Sequence, residues 1–263
     1  MRVKSVLVLL AVAASVAVPF VPLLLWSVSE RWFFPSLLPQ AFGPRAWHYI
    51  FDTAGSQILG GVWSSFLVAS VTACLSLLIG LPAGRALGLY GIPGKRLLLL
   101  LLSLPVIVPP LAVAMGLHLW FVRLGLAETF VGVVLIHLTF CAPYTIMVMW
   151  GVFCDYNPEF EDQARSLGAS VPQVMLFVMV PMVLPGITVA VLFSFLLSWS
   201  QYLSTLIIGG GKLLTLPILL FALMDSGDRP VAAAVSLVFV VPAFLVLLAS
   251  AQSISRRGLQ GVR

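Results

Sequence analysis

Long apolar runs separated by short polar interruptions set the pattern of this chain. The runs lie at 3–28, 59–83, 97–121, 129–153, 182–208 and 231–253. Each is long enough for a membrane-spanning helix, which needs roughly 20 apolar residues. The runs are continuous, with none of the strict alternation of a lipid-facing barrel strand. The pattern therefore predicts an all-α polytopic membrane protein with six transmembrane helices, forming one transmembrane domain over residues 1–263. The first run follows Arg2 and Lys4 and reads as a retained signal-anchor helix, too long for the apolar core of a cleaved signal peptide. Residues 29–58 mix Trp32, Pro35, Pro39, Arg45, Trp47 and Asp52, and predict a segment lying at the membrane surface. Pro105, Pro109 and Pro110 predict a kinked or locally unwound third span.

The most densely charged interruption, 154–181, predicts a bent elbow. Asn157, Pro158 and Glu159 read as an N-cap, a proline at the first helical position and a first-turn acid. Gly168 reads as the residue that ends this helix. Ser170 opens a second helix, with Gln173 three positions on completing a capping box. Phe160, Ala164 and Leu167 share one face of the first helix, while Glu161 and Arg165 form an i, i+4 pair on another. Pro181 and Pro185 follow, echoing Pro105 and Pro109 at the start of the third span.

Composition agrees with the membrane reading. The chain is 61% hydrophobic and 9% charged, whereas soluble domains carry about 25% charged residues. A net charge of +5 could indicate nucleic acid in a soluble protein, but here the basic residues flank the spans. With a cytoplasmic N-terminus, the inner side holds Arg2, Lys4, Arg85, Lys95, Arg96, Arg165, Arg256, Arg257 and Arg263. The outer side holds only Arg31, Arg45, Arg123, Lys212 and Arg229. The positive-inside rule thus predicts that both termini and the elbow are cytoplasmic.

Candidate chemistry is sparse. No His-Glu-x-x-His, Gly-x-Ser-x-Gly or Walker A pattern occurs, so proteolysis and ATP hydrolysis by this chain are not expected. Cys74, Cys141 and Cys154 lack metal-ligand spacing and read as small buried hydrophobes. His118 and His137 either line a pathway or sit neutral and hydrogen-bonded between helices. The fifth span is the most polar: Ser194, Ser198, Gln201 and Thr205 follow i, i+4, i+7, i+11 spacing, with Trp199 and Tyr202 among them. A continuous helix would align these four on one face, either as a solute path or as interhelical hydrogen bonds. An ion-coupled carrier and a non-transporting scaffold are the alternatives. Mid-span acids and bases, the usual mark of the carrier, are missing from the runs.

The elbow also resembles a known family. Asp162-Gln163-Ala164, then Leu167, Gly168 and Ala169, with Pro181 thirteen residues after the glycine and then Pro185, is similar to the Glu-Ala-Ala loop of ABC-importer permeases. Gln163 departs from that family's small residue at this position. The resemblance implies a type I importer in the bacterial inner membrane, of the spermidine/putrescine, thiamine, iron and phosphonate group. It implies that Glu159, Phe160, Glu161, Asp162, Gln163, Ala164, Arg165, Leu167, Gly168 and Ala169 form the coupling helix that contacts a cytoplasmic ATPase. The implied partners are two ATP-binding cassette subunits, a second permease subunit in a heterodimer, and an extracytoplasmic solute-binding protein. ATP and Mg would bind the ATPases, and this chain would hold no cofactor.

Overall fold

A computed structural model describes residues 2–33 and 35–258. Arg263, counted above among the inner-side basic residues, lies outside the described residues, as do the side chains of Arg2, Lys4, Arg256 and Arg257. In chain order, α1 (Arg2–Ala17) and α2 (Phe20–Ser27) are followed by a hairpin of β1 (Ser29–Arg31) and β2 (Ala41–Phe42). Next come α3 (Arg45–His48), a π-turn at Tyr49–Thr53, and α4 (Gly55–Leu89). Then α5 (Lys95–Ile107), α6 (Pro110–Arg123), α7 (Phe130–Cys154) and α8 (Glu159–Ser166). The chain continues as α9 (Val171–Val174), a π-turn at Met175–Met179, α10 (Val180–Trp199), α11 (Leu203–Gly209), α12 (Leu216–Asp225) and α13 (Arg229–Gly258). Four helical stretches are long and apolar enough to cross a membrane, and two bent pairs bring the number to six if each pair is one crossing.

Several boundaries differ from those read off the sequence. The run at 3–28 is two helices bent by 41°, with Pro19 and Pro22 at the joint, where proline removes backbone donors. The surface segment before the second span opens with an antiparallel hairpin, Ser29 opposite Phe42 and Arg31 opposite Ala41, and continues through α3 and the π-turn into α4. The second span is longer than 59–83 and runs on to Leu89 despite Pro82. The third is locally unwound, as the prolines predict: α5 and α6 meet at 99° across Val108–Pro109, where Val108 is extended and Pro110 starts a fresh helix. The elbow's second helix does not stop at the prolines. Val171–Trp199 is one stretch of 29 residues, with a π-turn at Met175–Met179 directly ahead of Pro181, where the widened backbone accommodates the proline. The fifth run is broken at 200–202, before α11. The three cysteines are free, but only Cys141 is buried; Cys74 and Cys154 are exposed on outward faces of α4 and α7.

The chain divides into two compact units. The first comprises Met1–Trp63 and Thr215–Pro242. There Arg45 makes a two-pronged pair with Asp228 at 2.7 and 2.9 Å. Trp26 stacks on Trp32, and Arg229 lies over the Trp26 ring. The second unit comprises Ser64–Leu214 and Ala243–Arg263. Its core has two clusters. Val68, Phe121, Val133, Val134, Ile136, Phe140 and Ile208 form one; Met149, Phe153, Tyr156, Met179, Val183 and Ala190 form the other.

In this second unit α4 and α7 approach closely along one seam. A Cβ at Gly80 would collide with Thr145, at Gly84 with Met149, and at Gly88 with Phe153. The glycines recur every four residues on α4 and face residues recurring every four on α7. This is the small-residue spacing that lets membrane helices pack backbone to backbone. The stripe Gly80-x-x-x-Gly84-x-x-x-Gly88 is legible in the sequence once the rule is applied.

Candidate functional site

The elbow forms from its own local chemistry. The Oδ1 of Asn157 accepts the backbone N–H of Glu159 at 3.0 Å, capping α8. At the other end Gly168 has φ of +90°. Its N–H donates to the carbonyl of Arg165 at 2.9 Å, and that of Ala169 to the carbonyl of Ala164 at 3.1 Å. These two bonds are a Schellman closure, which requires the left-handed conformation that glycine adopts without strain. The Gln173 Oε1 then accepts both the backbone N–H and the hydroxyl of Ser170, at 2.8 and 2.9 Å. The chain thus turns between two capped helices within four residues.

Packing of α8 inverts the usual order. Glu161 is 3% exposed, while Phe160 is 46% and Leu167 89% exposed. The buried carboxylate is held from several sides. Arg85 on α4 donates to it at 2.7 Å, the Tyr156 hydroxyl donates to its other oxygen at 2.9 Å, and Arg165 lies at 3.7 Å. The Arg85 guanidinium also reaches the Met179 sulfur at 3.2 Å. Burial, and then the bond to Glu161, push the Tyr156 phenol up to about 12. Removing one partner from such a buried pair typically costs about 3–5 kcal/mol, because the other charge is left uncompensated. The i, i+4 pairing of Glu161 with Arg165 read from the sequence is therefore a minor contact. The stronger partner, Arg85, lies 76 residues upstream and is reached only because α4 continues past the length expected for the second span.

The remaining elbow residues face outward. Glu159, Asp162, Gln163 and Arg165 are exposed, Ala164 and Ala169 half-buried. α8 therefore presents Phe160 and Leu167, flanked by acids, while a buried ion pair fastens its other side to α4.

The fifth-span residues occupy a different setting. Ser194, Ser198, Trp199 and Thr205 are buried, and the break at 200–202 separates Thr205 from the helix carrying the first two. No continuous polar face exists. Instead the hydroxyls form rungs to α7. Ser194 and Thr145 lie 2.6 Å apart; the Thr145 hydroxyl donates to the Cys141 carbonyl, so Ser194 is the donor between them. His137 bridges Ser198 at 2.7 Å and Thr205 at 2.8 Å. Since the Thr205 hydroxyl donates to the Gln201 carbonyl at 2.9 Å, its oxygen accepts from His137 Nε2–H. Nδ1 then accepts from Ser198, and the ring is neutral. His137 is thus a bonded interhelical residue. His118, on α6, has a buried Nδ1 without a protein partner among the described residues. Gln201 and Tyr202 are half-buried at the break, and Gln201 Oε1 accepts from Ser204.

Known proteins show the same architecture. Residues 77–259 match the family described as binding-protein-dependent transport system inner membrane component. A spermidine/putrescine transport system permease protein, PotC, of Haemophilus influenzae is 26% identical over 193 residues, 73% of this chain and 75% of that protein. A putative 2-aminoethylphosphonate transport system permease protein, PhnV, of Salmonella typhimurium is 27% identical over 237 residues, 88% of this chain and 86% of that protein. Among solved structures, a bacterial ABC transporter that imports the acidic polysaccharide alginate superposes with a TM-score of 0.70. It covers 95% of both chains at 18% identity. The inward-facing MetNI methionine ABC transporter gives 0.65 over 78% of this chain and 98% of that one, at 16% identity.

Proposed function

We propose how this chain works from the premise that it belongs to the family of binding-protein-dependent transport system inner membrane components. It is a permease subunit of an ABC importer, a multi-pass membrane protein and not itself the ATPase. In our reading α8 is the coupling helix. Phe160, Ala164 and Leu167 enter a cleft on a cytoplasmic ATP-binding cassette subunit, and Glu159, Asp162, Gln163, Arg165 and Ala169 orient it there. Gly168 sets the angle at which the helix is presented. The observation that carries this is the inverted packing of α8: a large apolar side chain left 89% exposed beside a carboxylate left 3% exposed. An element held to its own subunit by charge, with its apolar side free, is built to grip a partner.

Movement of the ATPase would pass along two routes. One is the Glu161–Arg85 pair into α4; the other is the unbroken helix from Val171 to Trp199. Rigid-body displacement of these elements would alternate access to a central path. We place the solute contacts of this chain at the break near Gln201 and Tyr202, with Ser194, Ser198, Trp199 and Thr205 supporting it from behind. The full assembly would contain two ATPase subunits that bind ATP and Mg, a second permease in a heterodimer, and an extracytoplasmic binding protein. Both termini and the elbow would be cytoplasmic, in a bacterial inner membrane. The solute would be a small organic molecule of the polyamine, thiamine or phosphonate type. Two relatives are named for solutes that carry a primary amine, which favours an aminoalkyl compound.

The test is to replace the exposed pair by Phe160→Glu with Leu167→Glu and reconstitute the complete transporter. Loss of ATPase co-purification and of binding-protein-stimulated ATP hydrolysis is expected, with the permease still inserted. Full stimulation in this variant would remove α8 as the coupling element.

A further inference from the structure

The corner between α4 and α5 carries basic side chains where a helix start favours acids. Lys95 and Arg96 open α5, and no acid occupies its first turn. The N-terminal end of a helix is itself partly positive, so two cations there are unfavourable without an anion. Lys95 answers part of this by donating to the Leu87 carbonyl at the end of α4, and its ammonium lies 5.1 Å from the centre of the Trp150 ring. Arg96 is exposed and makes no ion pair among the described residues. The three side chains wall a cavity of about 580 Å³ whose remaining lining is Ile92, Gly94 and Leu99. Directly beyond the cations, Leu97, Leu98, Leu100 and Leu101 are all exposed.

We propose that this cavity binds the headgroup of an anionic phospholipid from the leaflet on the elbow's side of the membrane. The phosphate would sit against Arg96 and Lys95 at the start of α5, and the acyl chains along the exposed leucines. The continuity of the cations with exposed leucines on the same helix is what selects a lipid over a free anion. A tryptophan beside the basic pair suits the headgroup level of a bilayer, where indole rings concentrate. Basic pockets at the ends of spanning helices recognise anionic headgroups through this chemistry. Lys95 is tied to the carbonyl of Leu87, two residues along α4 from Arg85, so an occupied headgroup would lie near the root of the elbow. The proposal does not depend on the transport reading.

Native mass spectrometry of the detergent-solubilised transporter, with its partner subunits, can read the first lipid-binding constant. The titrants are phosphatidylglycerol and phosphatidylcholine. Phosphatidylglycerol is expected to bind more tightly, and Arg96→Gln to weaken it about fivefold, the effect of roughly 1 kcal/mol per surface cation. Arg123→Gln, at the far end of α6, should leave the constant unchanged. Equal affinity for the two lipids, or an unchanged constant in Arg96→Gln, overturns the site. An equal loss in Arg123→Gln overturns it too, by showing a general charge effect. Displacement of phosphatidylglycerol by inorganic phosphate overturns the lipid assignment in favour of a free anion.

Discussion

The elbow and the α7 crossing both bury polar groups, but they bury opposite kinds. At the elbow a carboxylate and a guanidinium meet 2.7 Å apart, with a phenol and a thioether around them. At the crossing the groups are an imidazole and four hydroxyls, all neutral. The difference follows depth. Near the membrane surface a full charge pair can be formed from residues that were hydrated before folding. Within a span ions are expensive, and short neutral hydrogen bonds join helices at modest gain. The elbow therefore has a strong, all-or-none anchor, and the crossing has several weak rungs.

This contrast can be broken most severely at Arg85. Arg85→Met should strand Glu161 and lower stability by about 3–5 kcal/mol, read as a fall in melting temperature of the detergent-solubilised protein. Adding Glu161→Leu should recover most of that loss. If the double variant is no better than the single one, the pair is not the anchor. Next in size is Gly168→Val. A φ of +90° is strained for a β-branched residue by about 1–3 kcal/mol. Open space surrounds the position, so Gly168→Asn should be milder, because strain and not crowding sets the cost. Tyr156→Phe should remove one bond to a charged group, about 1.5–3 kcal/mol, and change the alkaline limb of stability. The folded phenol titrates at about 12, against about 10 when unfolded. Its contribution is complete below about pH 10 and is lost as pH rises toward 12. The wild type should therefore weaken across that window more steeply than Tyr156→Phe. The smallest effect is expected at the crossing: Ser198→Ala should cost about 0.6 kcal/mol, typical of one interhelical bond in a membrane. A loss there as large as at Arg85 would erase the distinction.

The elbow's local devices were legible because each is written within a few residues. Asn157 caps α8, Gly168 closes it, and Gln173 ties back to Ser170 as their spacing predicts. The inward turn of Glu161 was not legible, because its partner comes from a helix whose length the hydropathy pattern underestimates. The break after Trp199 carried no glycine or proline to mark it, so the even spacing of Ser194, Ser198, Gln201 and Thr205 suggested a single face that does not form. Conversely, Pro181 and Pro185 suggested an interruption where the helix is continuous. A π-turn at Met175–Met179 lies just ahead of Pro181, and Pro185 sits inside α10 without ending it. Pro105, Pro109 and Pro110 convey an interruption in the third run but not the 99° corner at Val108–Pro109, where local dihedral restrictions decide the path.

The glycine seam between α4 and α7 has a mechanical consequence. Most helix contacts are cushioned by side chains that can change rotamer and take up small displacements. Along Gly80, Gly84 and Gly88 no such cushion exists on one side, and backbone bears directly on Thr145, Met149 and Phe153. Such a joint has little room to give: a displacement of α4 against α7 meets closely packed backbone rather than side chains that can adjust.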